Sequence, residues 1–235
     1  MFTTFINETP LEEAPRVGMV FQGLYDIVPV ALFLIGSIIL LRALYNKMVK
    51  GCYVLLASGS IMVFVAGFLK ALHKILIGIA EIDYTLLSNQ FTTTQSIGFF
   101  LLFVGLIGMF TKFNKNYTKV RSVAVLPFLG LFAYTATVFD SSMPFIVMMI
   151  LGAAGSLGVL IYMAARMKSV PAIILFSVAV VAMVGMGYLS TKRFYEYAWI
   201  AISTNVIYQG CFLIGVILLN KKGLHQDDIF FKESN

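Results

Sequence analysis

Residues 18–43 read "GMVFQGLYDIVPVALFLIGSIILLRA", a run interrupted by a single carboxylate, Asp26, and closed by an arginine. A helix that crosses a bilayer needs about 20 predominantly apolar residues, and this stretch supplies them. The same pattern of long apolar run and charged break repeats along the chain. It predicts spans at 18–43, 51–72 (with an apolar continuation toward 80), 92–111, 122–138, 143–165, 170–190 and 197–219. The fold class expected is therefore all-α: a polytopic membrane protein of seven transmembrane helices. Residues 1–17 form an external segment, 18–220 the bundle and 221–235 a cytoplasmic tail.

Composition supports the same class. Hydrophobic residues make up 60% of the 235, charged residues 12%, and mean hydropathy is +0.91. A soluble domain carries about 25% charged residues to solvate its surface; half that supply implies a surface facing lipid. The net charge of +6 would suit nucleic acid on a soluble protein, but here the charges fall between apolar runs, so no nucleic-acid partner is expected. Glu8, Glu12 and Glu13 precede the first run, the wrong order for a cleaved signal peptide, so the first span is expected to direct insertion.

Lysine and arginine set the orientation. Alternate loops hold Arg42, Lys47, Lys50, Lys112, Lys115, Lys119, Arg121, Arg166, Lys168, Lys221, Lys222 and Lys232 on one side, against Arg16, Lys70, Lys74, Lys192 and Arg193 on the other. The richer side is cytoplasmic, which places the N-terminus outside and the C-terminus inside, in the plasma membrane. Trp199 with Tyr25, Tyr84, Tyr195 and Tyr197 marks the outer interface.

The two ends of the chain also echo one another. "KMVKGCYVLLASGSIMVFVAGFLK" (47–70) aligns with "RMKSVPAIILFSVAVVAMVGMGYLS" (166–190), through Gly67-Phe68-Leu69 against Gly187-Tyr188-Leu189. "LFVGLIG" (102–108) aligns with "FLIGVIL" (212–218), "YDIVP" (25–29) echoes "FDSSMP" (139–144), and Gly36-Ser37 recurs as Gly155-Ser156. These matches imply a parallel 3+1+3 pseudo-repeat, with the fourth span as an inverting linker.

That plan is similar to the SWEET and PQ-loop carriers, whose repeats begin with proline-bearing helices; Pro29 and Pro144 sit suitably. Those carriers place an asparagine in the third and seventh helices. Asn205 matches one position, Gln95 stands at the other, and the PQ dipeptide is absent, so the resemblance is one of architecture. Microbial rhodopsins share helix count and orientation, but the seventh run lacks the lysine that binds retinal.

Helix rise converts spacing to depth, about 1.5 Å per residue. Asp26 lies about 24 Å above Arg42, Gln95 and Asn205 reach similar heights over Lys112 and Lys221, and Gln209 falls near the midplane. Tyr134 of the fourth run joins this layer. A carboxylate at membrane depth is costly unless paired or wet. Asp26 therefore either caps a helix starting near residue 27, with Pro29 in its first turn, pairs with Lys70, or serves a proton, a cation or a polar solute. Lys70, His73 and Lys74 share one helix face and form a charged outer rim. Gly152, Gly155 and Ser156 give the fifth span a small face for close packing, inside the chain or in a homo-oligomer.

The ligand-binding candidates are thus Asp26, Gln95, Asn205, Gln209 and Tyr134. Two histidines and two cysteines build no metal cluster, no catalytic set is visible, and no cofactor is expected. A small-solute carrier or channel is the leading expectation, with the lipid bilayer and a small polar solute as partners. A sensor signalling through a separate cytoplasmic partner and a lipid-acting membrane enzyme are the alternatives.

Overall fold

A computed structural model describes residues 15–80, 85–108, 130, 143–190 and 194–224, and these are helical almost throughout. Six helices are present among them: α1 Arg16–Leu44, α2 Lys50–Ala80, α3 Thr85–Ile107, α4 Met143–Arg166, α5 Val170–Ser190 and α6 Tyr195–Leu219. Each is long and apolar enough to cross a membrane. The chain is an integral membrane protein in class. The fourth expected span, 122–138, lies outside the described residues.

The helices outrun the apolar runs at three places. α1 begins directly after Pro15, and its 29 residues make a rod of about 43 Å. Asp26 therefore sits in the helix interior, which overturns the capping reading. Pro29 also lies inside the helix rather than in its first turn. In lipid the helix persists because no other backbone arrangement satisfies its polar groups. α2 continues to Ala80, and α3 starts at Thr85 rather than 92. The polar sequence "TLLSNQFTTTQS" (85–96) is helical too, and within it Ser96 Oγ donates to the Thr92 carbonyl one turn back.

Close contacts fix the helix directions. Gly67 of α2 meets Val30 and Gly78 meets Val20, so α1 and α2 are antiparallel. Gly59 and Gly98 bring the backbones of α2 and α3 together, again antiparallel; a Cβ on Gly59 would sit 2.5 Å from the Gly98 carbonyl oxygen. Gly152 lies against Phe99 and Phe100, and Gly155 against Phe103, so α3 and α4 run the same way. Gly18 against Tyr195 and Gly36 against Phe212 make α1 and α6 parallel. Among the described helices the neighbours form a closed circuit, α1–α2–α3–α4–α5–α6 and back to α1. The small face of α4 at Gly152 and Gly155 is thus packed against α3 within the chain.

One end of the bundle gathers Arg42, Lys50, Arg166, Lys168, Lys221 and Lys222, and the other Tyr25, Tyr195, Tyr197 and Trp199. We call them the basic and aromatic ends. At the basic end α4 stops in a Schellman turn: Ser169 N–H donates to the Ala164 carbonyl (2.9 Å) and Lys168 N–H to Ala165 (3.0 Å). Lys168 takes the left-handed position (φ 52°) where glycine is favoured. α6 runs into a π-turn, Asn220–Leu224, which buries Leu224.

The interior divides by height. From the middle to the basic end it is mainly apolar, built of Leu40, Leu44, Leu56, Leu106, Leu160 and Met163 with Phe176 and Leu219, and it also buries Ser37 and Ser156. Phe33 closes the top of this core, stacked on Phe212 (centroids 5.7 Å) and edge-on to Phe99 (6.3 Å). The larger buried polar side chains, Gln22, Asp26, His73 and Gln209, lie on the aromatic-end side of that cluster.

Candidate functional site

The inward stripe of α1 follows helical spacing: Gln22, Asp26, Pro29, Phe33, Gly36 and Ser37, Leu40, Leu44. Its first two turns are polar and its last four largely apolar. Asp26, 7% exposed, accepts a hydrogen bond from Lys74 Nζ of α2 at 2.5 Å. Lys74, not Lys70, is the partner of this carboxylate. Both lysines project from one face of α2, a turn apart, so charge alone did not distinguish them. Lys70 turns toward α3 and places its ammonium 4.3 Å from the centroid of the Phe91 ring. His73 is buried on the same stretch of α2. Asp26 and Lys74 thus pair between α1 and α2, with Lys70 and His73 on the same stretch of α2.

Gln22, one turn above Asp26, is fully buried, and its Nε2 donates to the Tyr195 carbonyl at the start of α6 (3.2 Å). That bond fixes the amide, and among the described residues Oε1 has no hydrogen-bond partner. An unmet buried acceptor costs about 1–3 kcal/mol. Sequence reasoning missed Gln22, although its position four residues before Asp26 places it on the same stripe. The mouth beside it is aromatic: Trp199 lies 6.1 Å from Tyr25 and 6.3 Å from Tyr195 by ring centroid.

Below the charges lies a layer of amides. Gln209 is buried one turn above Phe212 on α6, and its Oε1 also lacks a partner among the described residues. Asn205 precedes it by one turn, half-buried, and Gln95 is half-buried one turn above Phe99 on α3. Tyr134 lies outside the described residues. The hydroxyls of Ser60 and Ser156 are satisfied inside their own helices, by the carbonyls of Leu56 (2.9 Å) and Gly152 (2.7 Å). The two buried glutamine carbonyls and the Ser37 hydroxyl have no hydrogen-bond partner among the described residues. Among the described residues no cluster of histidine, cysteine or carboxylate is able to hold a metal ion.

From aromatic end to middle the site is thus a charged layer, an amide layer and a phenylalanine floor. The chain matches no protein family, no curated protein and no solved structure.

Proposed function

We propose that the protein is a carrier or channel for a small polar solute, entered from the aromatic end. The observation that carries this reading is the vertical segregation of the interior. Buried Gln22, Asp26, His73 and Gln209 stand on one side of Phe33, Phe99 and Phe212, and on the other a mainly apolar core whose buried polar groups are the small hydroxyls of Ser37, Ser156 and Ser169. A bundle built only for packing has no reason to bury so many polar groups in one half, because each is expensive in lipid. Phe33 bars passage, and a shift of α1 at Pro29 would open it.

The finer architecture belongs to the same proposal: seven spans, N-terminus outside, two similar halves. α3 and α4 run parallel, so Ile107 and Met143 lie at opposite ends of the bundle, as a further crossing between them requires. The repeat is supported by matched contacts. Gly105 packs on Leu56 and Gly215 on Phe176; Gly36 packs on Phe212 and Leu213, Gly155 on Phe103. In the sequence alignment Gly105 pairs with Gly215, Leu56 with Phe176, and Phe103 with Leu213. Pro29 and Pro144 do not match in this register, for Pro144 is the second residue of α4.

The test is uptake of labelled alanine, glucose, lactate and rubidium into proteoliposomes holding the full chain. Wild type is expected to admit one of these above protein-free vesicles, with a loss of about tenfold or more in Asp26→Asn and Asn205→Ala. Failure of all four, together with co-purification of a cytoplasmic signalling partner, would replace the carrier with a sensor.

A further inference from the structure

Resting on the carrier reading for its purpose but not for its geometry, we infer that the α5–α6 pair swings as a unit against a frame of α1–α4. The turn between α4 and α5 is the pivot, and the Gln22–Tyr195 bond is the latch. The seams between the helices are of two kinds. Three of them bring backbone onto backbone at a glycine. A Cβ on Gly23 of α1 would stand 2.8 Å from the Ala71 carbonyl oxygen of α2, and one on Gly78 of α2 would stand 2.8 Å from the Arg16 oxygen. Gly59 and Gly98 join α2 to α3 in the same way, and a Cβ on Gly105 of α3 would lie 2.7 Å from the Leu56 nitrogen. Between α3 and α4, a Cβ on Gly152 would lie 2.6 Å from the Phe100 nitrogen. The seams of α5 and α6 are filled by side chains instead. Gly215 of α6 meets the Phe176 ring, and Gly185 of α5 only the Thr204 methyl, at 3.9 Å. Gly158 of α4 and Gly187 of α5 have nothing within 4 Å. Gly36 of α1 meets the Phe212 ring at 2.7 Å, ahead of the nearest backbone atom, Leu213 Cα at 3.4 Å, and Gly18 meets the Tyr195 ring.

That difference decides which seams yield. A main chain in contact with another has no rotamer to adjust, so such helices part only by losing the whole contact. Side chains rotate between staggered wells and let packed helices shear. Burial places the pivot. α5 buries Ala172, Phe176, Ala179 and Ala182, but none of its residues from 183 to 189 is buried, and Val184 and Tyr188 are 63% and 65% exposed. It is gripped in its basic half, next to the Schellman turn that joins it to α4. The aromatic end of the pair is held through α6, by Gln22 Nε2 on the Tyr195 carbonyl (3.2 Å) and by Trp199 against Tyr25. The phenylalanine floor is divided between the two bodies: Phe33 and Phe99 belong to the frame, Phe212 to the pair. A swing about the turn parts Phe212 from Phe33. It also separates Asn205 and Gln209, which ride on α6, from Asp26 and Gln95 on the frame.

The experiment measures distances between pairs of spin labels by electron paramagnetic resonance, on the purified full chain in phosphatidylcholine nanodiscs without solute. The labels replace exposed residues in a background lacking Cys52 and Cys211, so the core is left intact. Ile79 with Val147, both on the frame, is expected to give one narrow distance. So are Val184 with Ile200, within the pair, and Tyr162 with Ile174, beside the pivot. Val147 with Val184, across the α4–α5 seam at the aromatic end, is expected to give two distances, and Gln22→Ala to shift the population toward the longer. One narrow distance for Val147 with Val184, unmoved by Gln22→Ala, overturns the inference; so do two distances for Ile79 with Val147. A reducible cross-link between cysteines at Val147 and Val184 is expected to stop uptake until it is reduced, and uptake undiminished by the cross-link overturns the swing as the route. Two distances in a chain that admits none of the four labelled solutes sink the carrier and leave the swing. Uptake through a chain with a single distance does the reverse.

Discussion

Lys74 reaches Asp26 across forty-eight positions of sequence, and both side chains are nearly removed from solvent. Two charges so placed stabilise less than their attraction implies, since each gives up hydration; removing one partner is the larger effect because it strands the other. Lys74→Met is therefore expected to destabilise the protein by about 3–5 kcal/mol, and Asp26→Leu with Lys74→Met to recover most of it. Thermal unfolding of the three proteins in one detergent checks this; additive losses would mean that the pair is not coupled. The depth of Asp26 was legible from its distance to Arg42, because helix rise is fixed. Its partner was not, because two lysines a turn apart differ only in which neighbouring helix each meets. Gln22 was legible in principle, by its spacing from Asp26, but its acceptor on α6 depends on which helix closes the circuit.

At the scale of the element, glycine decides how near the helices lie. Gly59 faces backbone atoms of α3 that have nowhere to go: a β-carbon added there would stand 2.5 Å from the Gly98 oxygen and 2.6 Å from the Leu102 nitrogen. Gly158 on α4 has nothing within 4 Å. Gly59→Ala is expected to cost about 1–3 kcal/mol by overpacking, and Gly158→Ala to be neutral or to gain about half a kcal/mol from helix propensity. Melting temperatures of both variants decide it, and equal behaviour would refute the close α2–α3 approach. Span positions were legible from hydropathy alone for α4 and α5, whose ends coincide with charges. α1 and α3 began earlier than expected because a helix in lipid does not stop at a proline or a threonine run; it stops where water can take over its backbone.

At the scale of the whole molecule, two ends of opposite character predict an orientation. Single cysteines introduced at Asn46 and Lys168, in a background lacking Cys52 and Cys211, are expected to react with a membrane-impermeant maleimide only after permeabilisation. One at Val17 is expected to react in intact cells. The reverse pattern would invert the topology and place the polar half of the bundle toward the cytoplasm. The expected orientation rests on positive charge counted residue by residue, and the labelling pattern decides it. The division of the interior was not legible, for it rests on Phe33, Phe99 and Phe212 meeting across three helices, and nothing in a run of apolar letters marks three phenylalanines as neighbours.

The bond from Gln22 to Tyr195 spans 173 positions. Ribosomes release α1 first and α6 last, so through most of synthesis α1 sits in the bilayer with its amide unanswered, and with its carboxylate unanswered until α2 emerges. The nascent hairpin of α1 and α2 settles the charge early; the amide waits for the final helix. Completion of the circuit by α6 is then the event that commits the newborn chain, and a chain stopped short of Tyr195 exposes Gln22 to lipid and to the quality-control proteases that recognise polar groups there.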